Sequence, residues 1–158
     1  MKTWEVSILQ ATTPEEFATA GHFILDYSKE FRESLSFQNI EKEVAQLQKL
    51  YSPPDSRLFL LIVGNEAAGC VIVKRLSADD FELKRMYIDP QHRGKGYSQA
   101  MLDMAIGTAR NMGAKRLLLD TDSTMTNAMH LYEKNGFRQI PAYYKSPLPN
   151  ASFYELIL

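Results

Sequence analysis

The most informative part of this chain is a glycine-containing turn at residues 86–98, which read Met-Tyr-Ile-Asp-Pro-Gln-His-Arg-Gly-Lys-Gly-Tyr-Ser. An apolar run ends at its start, and a run with helical spacing begins at Ser98. The first turn of a helix presents N–H groups without intrahelical partners and a partial positive charge, and both suit a phosphate group. Gly94 and Gly96 permit positive φ and let an anion approach the backbone closely. These residues predict a strand, an anion-binding turn and a helix.

The turn also carries a local excess of positive charge. Between Lys84 and Lys95 the chain has four Lys or Arg residues and one Asp, although its net charge is −1. This concentration favours an anionic ligand, and the alternative is a glycine turn with a solvated basic rim. Two other phosphate motifs do not fit, because a P-loop needs glycine where Asp89 stands and a dinucleotide-binding turn needs it where Gln99 stands.

Hydrophobic spacing predicts the elements on either side of the turn. Apolar and β-branched runs predict strands at 6–11, 57–63, 69–76, 81–88, 117–119, 137–140 and 152–158. Apolar residues three and four apart predict helices at 14–35, 39–51, 98–112 and 126–135, the first with a capping box at Thr13 and Glu16. The order implies an α/β fold (α+β mixed sheet): antiparallel strands, then a βαβ unit with parallel strands, with helices on both faces. The length suits one domain, taken as residues 1–158.

A second motif lies at residues 127–137, which read Asn-Ala-Met-His-Leu-Tyr-Glu-Lys-Asn-Gly-Phe. With Gln91, Gly94 and Gly96 placed as in the pyrophosphate signature Q/R-x-x-G-x-G/A, the chain resembles the GNAT superfamily of N-acetyltransferases. The order of the elements matches that family over nearly the whole chain. The resemblance implies a GNAT-like fold, acetyl-CoA as co-substrate, and transfer of the acetyl group to an amine by direct attack in a ternary complex.

The resemblance also implies how the co-substrate is held. In this family the strand before the signature separates from its neighbour, and its backbone pairs with the pantetheine arm as an extra strand would. The N–H of Met86 is then the donor that stabilises the oxyanion when the amine attacks, and Arg93 or Lys95 adds charge beside the pyrophosphate. The binding residues implied by position are Met86, Tyr87, Ile88, Gln91, Arg93, Gly94, Lys95, Gly96, Tyr97, Ser98, Asn127 and Tyr132.

Two further catalytic residues are implied. Tyr132 matches the family's general acid, and a thiol pKa of about 8.5 against a tyrosine pKa of about 10 makes proton transfer to the thiolate feasible; the alternative is a core tyrosine. Glu82 is the candidate general base, because it stands four residues before Met86 and strand alternation puts both on one face. The alternative for Glu82 is a surface glutamate paired with a lysine. By alternation Glu82, Lys84, Met86 and Ile88 share one face, and Leu83, Arg85 and Tyr87 share the other.

Composition limits the other functions. A content of 45% apolar residues and a net charge of −1 argue against a general nucleic-acid binder. The longest apolar run, at residues 58–63, is far too short to span a bilayer, so we expect no membrane partner. The lone Cys70 favours a reducing, cytoplasmic compartment, and no spacing of His, Cys or Asp suggests a metal site.

The resemblance also indicates which elements contact the acceptor amine. In the family the acceptor usually contacts the first two helices and the connection before the last strand, here residues 141–150 with Tyr143, Tyr144 and three prolines. This connection either walls the pocket or packs across the sheet edge. Further candidate contacts are Phe31, Arg32 and Glu33. A small-molecule amine is the favoured acceptor; a protein or peptide amine and a non-catalytic acyl-CoA-binding module are the alternatives. The apolar residues 153–158 permit a homodimer.

Overall fold

The computed structural model describes residues 5–30, 37–146 and 150–158, and it confirms the predicted mixed α/β fold. The strands are β1 (Val6–Gln10), β2 (Ser56–Val63), β3 (Glu66–Arg75), β4 (Asp80–Ile88), β5 (Arg116–Asp122), β6 (Arg138–Ile140) and β7 (Ala151–Ile157). The helices are α1 (Pro14–Glu30), α2 (Phe37–Val44), α3 (Leu47–Leu50), α4 (Tyr97–Asn111) and α5 (Thr126–Lys134), with a short 3-10 turn at Pro90–His92.

The strands of the described residues form one seven-stranded sheet in the order β1-β2-β3-β4-β5-β7-β6. Neighbouring strands are antiparallel in every pair except β4 and β5, which are parallel. The antiparallel meander of β2, β3 and β4 and the parallel pair joined through α4 are therefore as predicted. A helix is needed between β4 and β5 because a parallel neighbour can be reached only by a crossover connection.

Helices cover both faces of the sheet, as predicted. On one face, called the α4 face, α4 and α5 pack on a core that includes Val71, Leu117 and Met101. On the other, called the α1 face, the first three helices cover a core that includes Ile24 and Ile72. Burying each large apolar side chain stabilises the fold by about 1.5–3 kcal/mol, so the two cores hold the helices to the sheet. No helix within the described ranges is long and apolar enough to cross a membrane.

Helix α1 begins with the predicted capping box. The hydroxyl oxygen of Thr13 accepts the N–H of Glu16 at 3.2 Å, and Oε1 of Glu16 accepts the N–H of Thr13 at 3.0 Å. Two N–H groups that have no intrahelical partner are thereby satisfied. The structure describes this helix as far as Glu30, and its predicted continuation to Leu35 lies outside the described residues.

The prediction of one helix at residues 39–51 is wrong, because the chain forms two helices there, α2 and α3. The break lies at Gln46, whose φ of −127° is outside the helical region. It allows the hydroxyl of Tyr51 to reach Oε1 of Glu43 at 2.7 Å. In an unbroken helix these residues would be about 12 Å apart along the axis. The break thus interrupts the helix and allows a hydrogen bond to the Glu43 carboxylate, which also faces β4.

Strand β4 contains a bulge that the sequence alternation does not predict. Cys70 pairs with Tyr87 and Ile72 pairs with Lys84, so β4 places one residue more than β3 between these pairs. Arg85 lies in this bulge with φ of 56°, a left-handed conformation that costs a non-glycine residue about 1–3 kcal/mol.

The bulge overturns the predicted faces of β4. The residues on the α4 face are Phe81, Leu83, Met86 and Ile88. Tyr87 packs in the core of the α1 face, and Glu82 and Lys84 are on that face through their pairing with Lys74 and Ile72. The prediction that Glu82 and Met86 share one face is therefore wrong, because the extra residue between them reverses the alternation.

Candidate active site

A cavity of about 570 Å³ lies where β4 and β5 separate. The two strands pair only from Asp80 with Arg116 to Glu82 with Leu118, and beyond this point no strand of the described residues lies on the β5 side of β4. The separation is the one that the family resemblance implies. The lining residues are Tyr27, Glu30, Leu83, Lys84, Arg85, Met86, Tyr87, Ile88, Arg93, Ser98, Asp120, Thr121, Thr124, Met125, Thr126, Asn127, Ala128, Leu131 and Tyr132.

The structure brings many of the predicted site residues to this cavity. Those that line it are Met86, Tyr87, Ile88, Arg93, Ser98, Asn127 and Tyr132. Gln91, Gly94, Lys95, Gly96 and Tyr97 lie in the adjoining turn and at the start of α4 rather than in the lining. Glu82 is not among the lining residues. The predicted binding residues thus form one continuous surface from the open part of β4 to the start of α4, whereas the predicted base stands apart from it.

The glycine turn has the predicted conformation. Gly94 has φ of 76° and Gly96 has φ of 82°, and Gly96 immediately precedes the first residue of α4. A Cβ added at either position meets no other atom of the described residues within 4 Å. The glycines are therefore required by backbone conformation rather than by crowding within the chain. The space beside them is open, and the first N–H groups of α4 have no partners within the helix.

Arg93 makes its contacts within the protein. Its guanidinium donates to both carboxylate oxygens of Glu30 at 2.6 and 2.7 Å and to the carbonyl oxygen of Ile88 at 2.8 Å, and it lies 5.2 Å from the ring centre of Tyr87. The hydrogen bonds with Arg93 lower the pKa of Glu30 and those with Glu30 raise the pKa of Arg93. This arrangement, the Glu30–Arg93 clamp, joins the end of α1 to the turn. Because Glu30 neutralises much of its charge, Arg93 is less suited than predicted to supply charge to a phosphate.

Lys95 differs from Arg93 in this respect. Among the described residues no carboxylate lies within 4.0 Å of the Lys95 ammonium group. Of the two basic side chains predicted to add charge at the turn, Lys95 is therefore the one whose charge is not already paired in the described structure.

Tyr132 lies on α5 and both lines the cavity and packs in the core of the α4 face. It is 6% exposed, and its ring centre is 5.6 Å from that of Phe137 and 6.3 Å from that of Tyr154. Burial, with smaller contributions from Tyr27 and Asp120, raises the pKa of Tyr132 well above its ordinary value. The hydroxyl is protonated at neutral pH, as an unperturbed tyrosine also is, and burial makes it a weaker acid than the sequence-based comparison with the thiol assumes. The core and catalytic interpretations of Tyr132 are thus compatible.

The second motif positions α5 as well as Tyr132. The side chains of Gln99 and Asn135 exchange two hydrogen bonds, at 2.8 and 3.0 Å, and Asn135 also donates to the carbonyl of Leu131 at 2.8 Å. These bonds tie α4 to the end of α5. At the opposite end of α5, Thr126, Asn127 and Ala128 line the cavity. The motif therefore orients a helix whose first turn faces the site.

Glu82 is buried on the α1 face, with 8% exposure. Its Oε2 accepts a hydrogen bond from the hydroxyl of Tyr143 at 2.6 Å, and its Oε1 is 3.9 Å from Nζ of Lys84. Glu82 therefore has the lysine neighbour that the alternative interpretation expects, although the pair is not on the surface. The role of Glu82 as general base stays a prediction.

Asp120 is a residue of the cavity that sequence reasoning did not assign to this site. It follows the apolar residues 117–119 on β5, and its Oδ2 accepts a hydrogen bond from the hydroxyl of Tyr144 at 2.8 Å. The signal that could have found it is a charged residue directly after a fully apolar strand segment. Asp120 lies in the part of β5 beyond its pairing with β4, where the sheet opens.

The described part of the connection before β7 packs over one face of the sheet, against residues of β4, β5 and β7, and not across the sheet edge. The rings of Tyr143, Tyr144 and Phe153 form a cluster with centre-to-centre distances of 5.2–5.3 Å. Neither tyrosine is among the residues that line the cavity. The predicted contacts Phe31, Arg32 and Glu33 lie outside the described residues, as do residues 147–149 of the connection.

Two other kinds of chemistry lack support in the described residues. Among them, no group of three or more His, Cys, Asp or Glu side chains is placed to hold a metal ion. Cys70 is fully buried on β3, and burial raises the pKa of its thiol to about 12. A neutral, inaccessible thiol is a poor nucleophile, so the interpretation of Cys70 as a small buried hydrophobe is favoured.

Comparisons with known proteins agree with this geometry. The profile of the Acetyltransferase (GNAT) family matches residues 22–137. An uncharacterized N-acetyltransferase of Schizosaccharomyces pombe is 30% identical over 160 residues, covering 99% of this chain and 97% of that protein. An acetyltransferase of Streptococcus agalactiae has a TM-score of 0.81 at 17% identity, covering 97% of this chain and 98% of its own. A GNAT acetyltransferase of Elizabethkingia anophelis with acetyl-CoA bound has a TM-score of 0.65 at 20% identity, with coverage of 97% and 98%. The chain therefore belongs to the acetyltransferase (GNAT) family, and by class it is an N-acetyltransferase.

Proposed function

We propose that this chain binds acetyl-CoA in the cavity between β4 and β5 and transfers the acetyl group directly to the amine of a small molecule. The observation that carries the proposal is the separation of β4 from β5 beyond Glu82, next to a left-handed glycine turn and to Tyr132. An open strand edge offers its backbone groups to an extended ligand, as in strand addition. The fold neighbour with acetyl-CoA bound supports the choice of co-substrate.

The chain's residues have distinct roles in this proposal. The backbone of residues 86–88 pairs with the pantetheine arm, while the N–H groups at the start of α4 and the ammonium of Lys95 bind the pyrophosphate. Asn127 contacts the arm from α5. The absence of side chains at Gly94 and Gly96, and the open space beside both, suit the close approach of phosphate oxygens to the backbone.

The chemical step uses groups that stand around the same cavity. The N–H of Met86 donates to the carbonyl oxygen as negative charge develops on it during amine attack. Tyr132 donates its proton to the departing thiolate, and its buried hydroxyl is protonated beforehand. Glu82 is less well placed to receive a proton from the amine than the sequence predicts, because Tyr143 occupies one carboxylate oxygen.

The proposal also includes the acceptor size, the location and the assembly. The tyrosines of the connection lie over Glu82 and Asp120, which leaves little room for a polypeptide and favours a small acceptor.

A lone buried cysteine suits the cytoplasm. The exposed Ile157 at the apolar end of β7 suits a homodimer contact; sedimentation of the purified protein as a monomer at micromolar concentration would contradict that part.

The first test is calorimetric titration of the purified protein with acetyl-CoA. We expect binding with a Kd on the order of micromolar, competed by free coenzyme A, and release of thiol when amines are added. Binding without release of thiol from any amine would favour the non-catalytic acyl-CoA-binding alternative. Failure to bind acetyl-CoA at millimolar concentration would contradict the proposed function.

A further inference from the structure

Two carboxylates stand at the point where β4 and β5 separate. Glu82 on β4 pairs with Leu118 on β5, and Asp120 is two residues beyond Leu118. Because side chains alternate along a strand, Asp120 points to the same face as Leu118 and Glu82. The open end of the sheet thus presents one carboxylate from each strand on the α1 face. Only Asp120 of the two lines the cavity.

The two carboxylates differ in how they are neutralised. Glu82 has the ammonium of Lys84 at 3.9 Å in addition to the hydroxyl of Tyr143. Asp120 accepts the hydroxyl of Tyr144, and within the described ranges no Lys, Arg or His nitrogen lies within 4.0 Å of it. A carboxylate at a cavity with a neutral hydroxyl as its partner is suited to receive a cation.

Aromatic rings stand beside these carboxylates. Tyr143, Tyr144 and Phe153 contact one another, and Tyr144 is 42% exposed, so its side chain has room to turn away from Asp120. The faces of aromatic rings attract cations, and a carboxylate among them adds a charge-assisted hydrogen bond. This combination of groups recognises an alkylammonium ion.

We propose, on the basis of the function proposed above, that Asp120 binds the acceptor's ammonium group in place of the Tyr144 hydroxyl and receives its proton. The acceptor is accordingly a primary alkylamine that has no carboxylate next to its amino group. An α-carboxylate would stand against Asp120, the carboxylate that lines the cavity, and be repelled. The nearby cations Lys84 and Arg85 face Glu43, at 3.8 and 3.0 Å.

The acceptor ammonium loses two protons in the transfer step. The ammonium gives one proton to the Asp120 carboxylate, and the freed nitrogen lone pair forms a bond to the thioester carbonyl carbon. The carbon–sulfur bond then breaks, and sulfur leaves with its electron pair and takes the proton of Tyr132. The nitrogen loses its second proton as the amide forms, which restores the Tyr132 hydroxyl through water, and Asp120 releases its proton to solvent. The ammonium thus loses two protons, of which the thiol keeps one.

The substrate class is tested with amines and with the amino acids that differ from them by one carboxylate. Thiol release from acetyl-CoA is measured with phenethylamine against phenylalanine and with agmatine against arginine. We expect kcat/KM to favour the amine of each pair by about 100-fold, the scale expected when a like charge is placed in a binding site. Preference for the amino acids, or turnover of no amine by a protein that binds acetyl-CoA, would overturn the inference.

The residue assignment is tested with Asp120→Asn and with Asp79→Asn, which makes the same chemical change at an exposed site paired with Lys115. Asp120→Asn should lower kcat/KM for phenethylamine by about 100-fold and leave the acetyl-CoA Kd within about twofold, as expected for loss of a proton acceptor. Asp79→Asn should change neither quantity. Tyr144→Phe, which frees Asp120 without removing the ring, should lower the KM for the amine.

The outcomes separate this inference from the proposed function. Loss of acetyl-CoA binding by the unaltered protein would refute the proposed function itself. Normal acetyl-CoA binding and amine turnover together with full activity of Asp120→Asn would refute only the inference, and a larger loss in Glu82→Gln than in Asp120→Asn would assign the base to Glu82 instead. A higher amine KM in Tyr144→Phe would show that the amine does not displace the Tyr144 hydroxyl.

Discussion

The two halves of β4 have different neighbours and different contents. From Asp80 to Glu82 the strand pairs with β5, and Phe81 and Glu82 pair with β3 as well. Residues 83–88 pair with β3 alone, contain the bulge at Arg85, and border the cavity. The first half has the fully buried Phe81, whereas the second half exposes backbone groups that no other strand of the described sheet uses.

The site therefore forms because the pairing between β4 and β5 ends early. A parallel neighbour that continued beyond Glu82 would use the same backbone groups that a ligand needs. The bulge reinforces the change because it increases the local twist and reverses the side-chain alternation. Substitutions in the paired half should therefore change stability, and substitutions in the open half should change ligand binding.

The largest expected effect is the loss of stability caused by Phe81→Ala in the paired half. The ring is fully buried and Arg75 stacks on it at 4.7 Å from its centre. Emptying such a site costs about 3–5 kcal/mol of unfolding free energy, measurable by denaturant titration. The acetyl-CoA Kd of the folded variant should stay the same. A loss below about 1 kcal/mol would show that the paired half does not support the sheet as described.

Tyr132→Phe on the open side should lower kcat by about 100-fold, which corresponds to about 2.7 kcal/mol of activation free energy. The acetyl-CoA Kd should be nearly unchanged, because the ring remains. Tyr154→Phe is the matched control: its hydroxyl donates to Glu133 at 3.2 Å, and it does not line the cavity. Steady-state kinetics that gave equal rates for both variants would mean that Tyr132 is not the acid.

Comparing Gly96→Ala with Gly113→Ala separates the effect of a substitution on ligand binding from the effect of backbone strain on stability. The two glycines have φ of 82° and 91° at opposite ends of α4, and apart from the chain neighbours no atom of the described residues lies within 4 Å of a Cβ added at either. Each substitution should destabilise the protein by about 1–2 kcal/mol, since both force a left-handed alanine. Only Gly96→Ala should also weaken acetyl-CoA binding, by about tenfold. Calorimetry that gave equal Kd values would remove the turn from the binding site.

The smallest expected effect comes from the ion pair between Arg116 and Asp80, at the start of the paired half of β4. Arg116 donates to Asp80 at 2.7 and 3.0 Å and lowers its pKa. A lowered folded-state pKa gives stability that is present above the unfolded value of about 3.9 and is lost as pH falls through the folded value. Asp80→Asn should cost no more than about 1 kcal/mol at pH 7, and this disadvantage should shrink progressively as pH falls below about 4 and vanish below the folded-state pKa. A difference from the unaltered protein that did not vary with pH would contradict this linkage.

Local signals in the sequence were sufficient for the order of the elements and for the glycine turn. The apolar periods gave the strands to within a few residues, and two glycines predicted the left-handed turn because few other residues adopt that conformation. The capping box at Thr13 was likewise readable from four consecutive residues. Each of these features is determined by interactions within a short segment of chain.

Features set by distant contacts could not be predicted in the same way. The bulge at Arg85 has no glycine to mark it, and the residue is held by Glu43, 42 positions earlier in the chain. Asp120 receives Tyr144 from a connection 24 positions later. The error in placing Glu82 beside Met86 follows from the bulge, since one extra residue exchanges the two faces of a strand.

The Glu30–Arg93 clamp has a consequence for how such a protein changes over generations. The two residues are 63 positions apart, yet loss of either leaves the other as a partly buried, unpaired charge beside Tyr87. Single replacements at these positions are therefore disfavoured, while a joint replacement that keeps opposite charges is tolerated. We therefore expect a helix end and a turn that share no local sequence to change together among relatives of this protein.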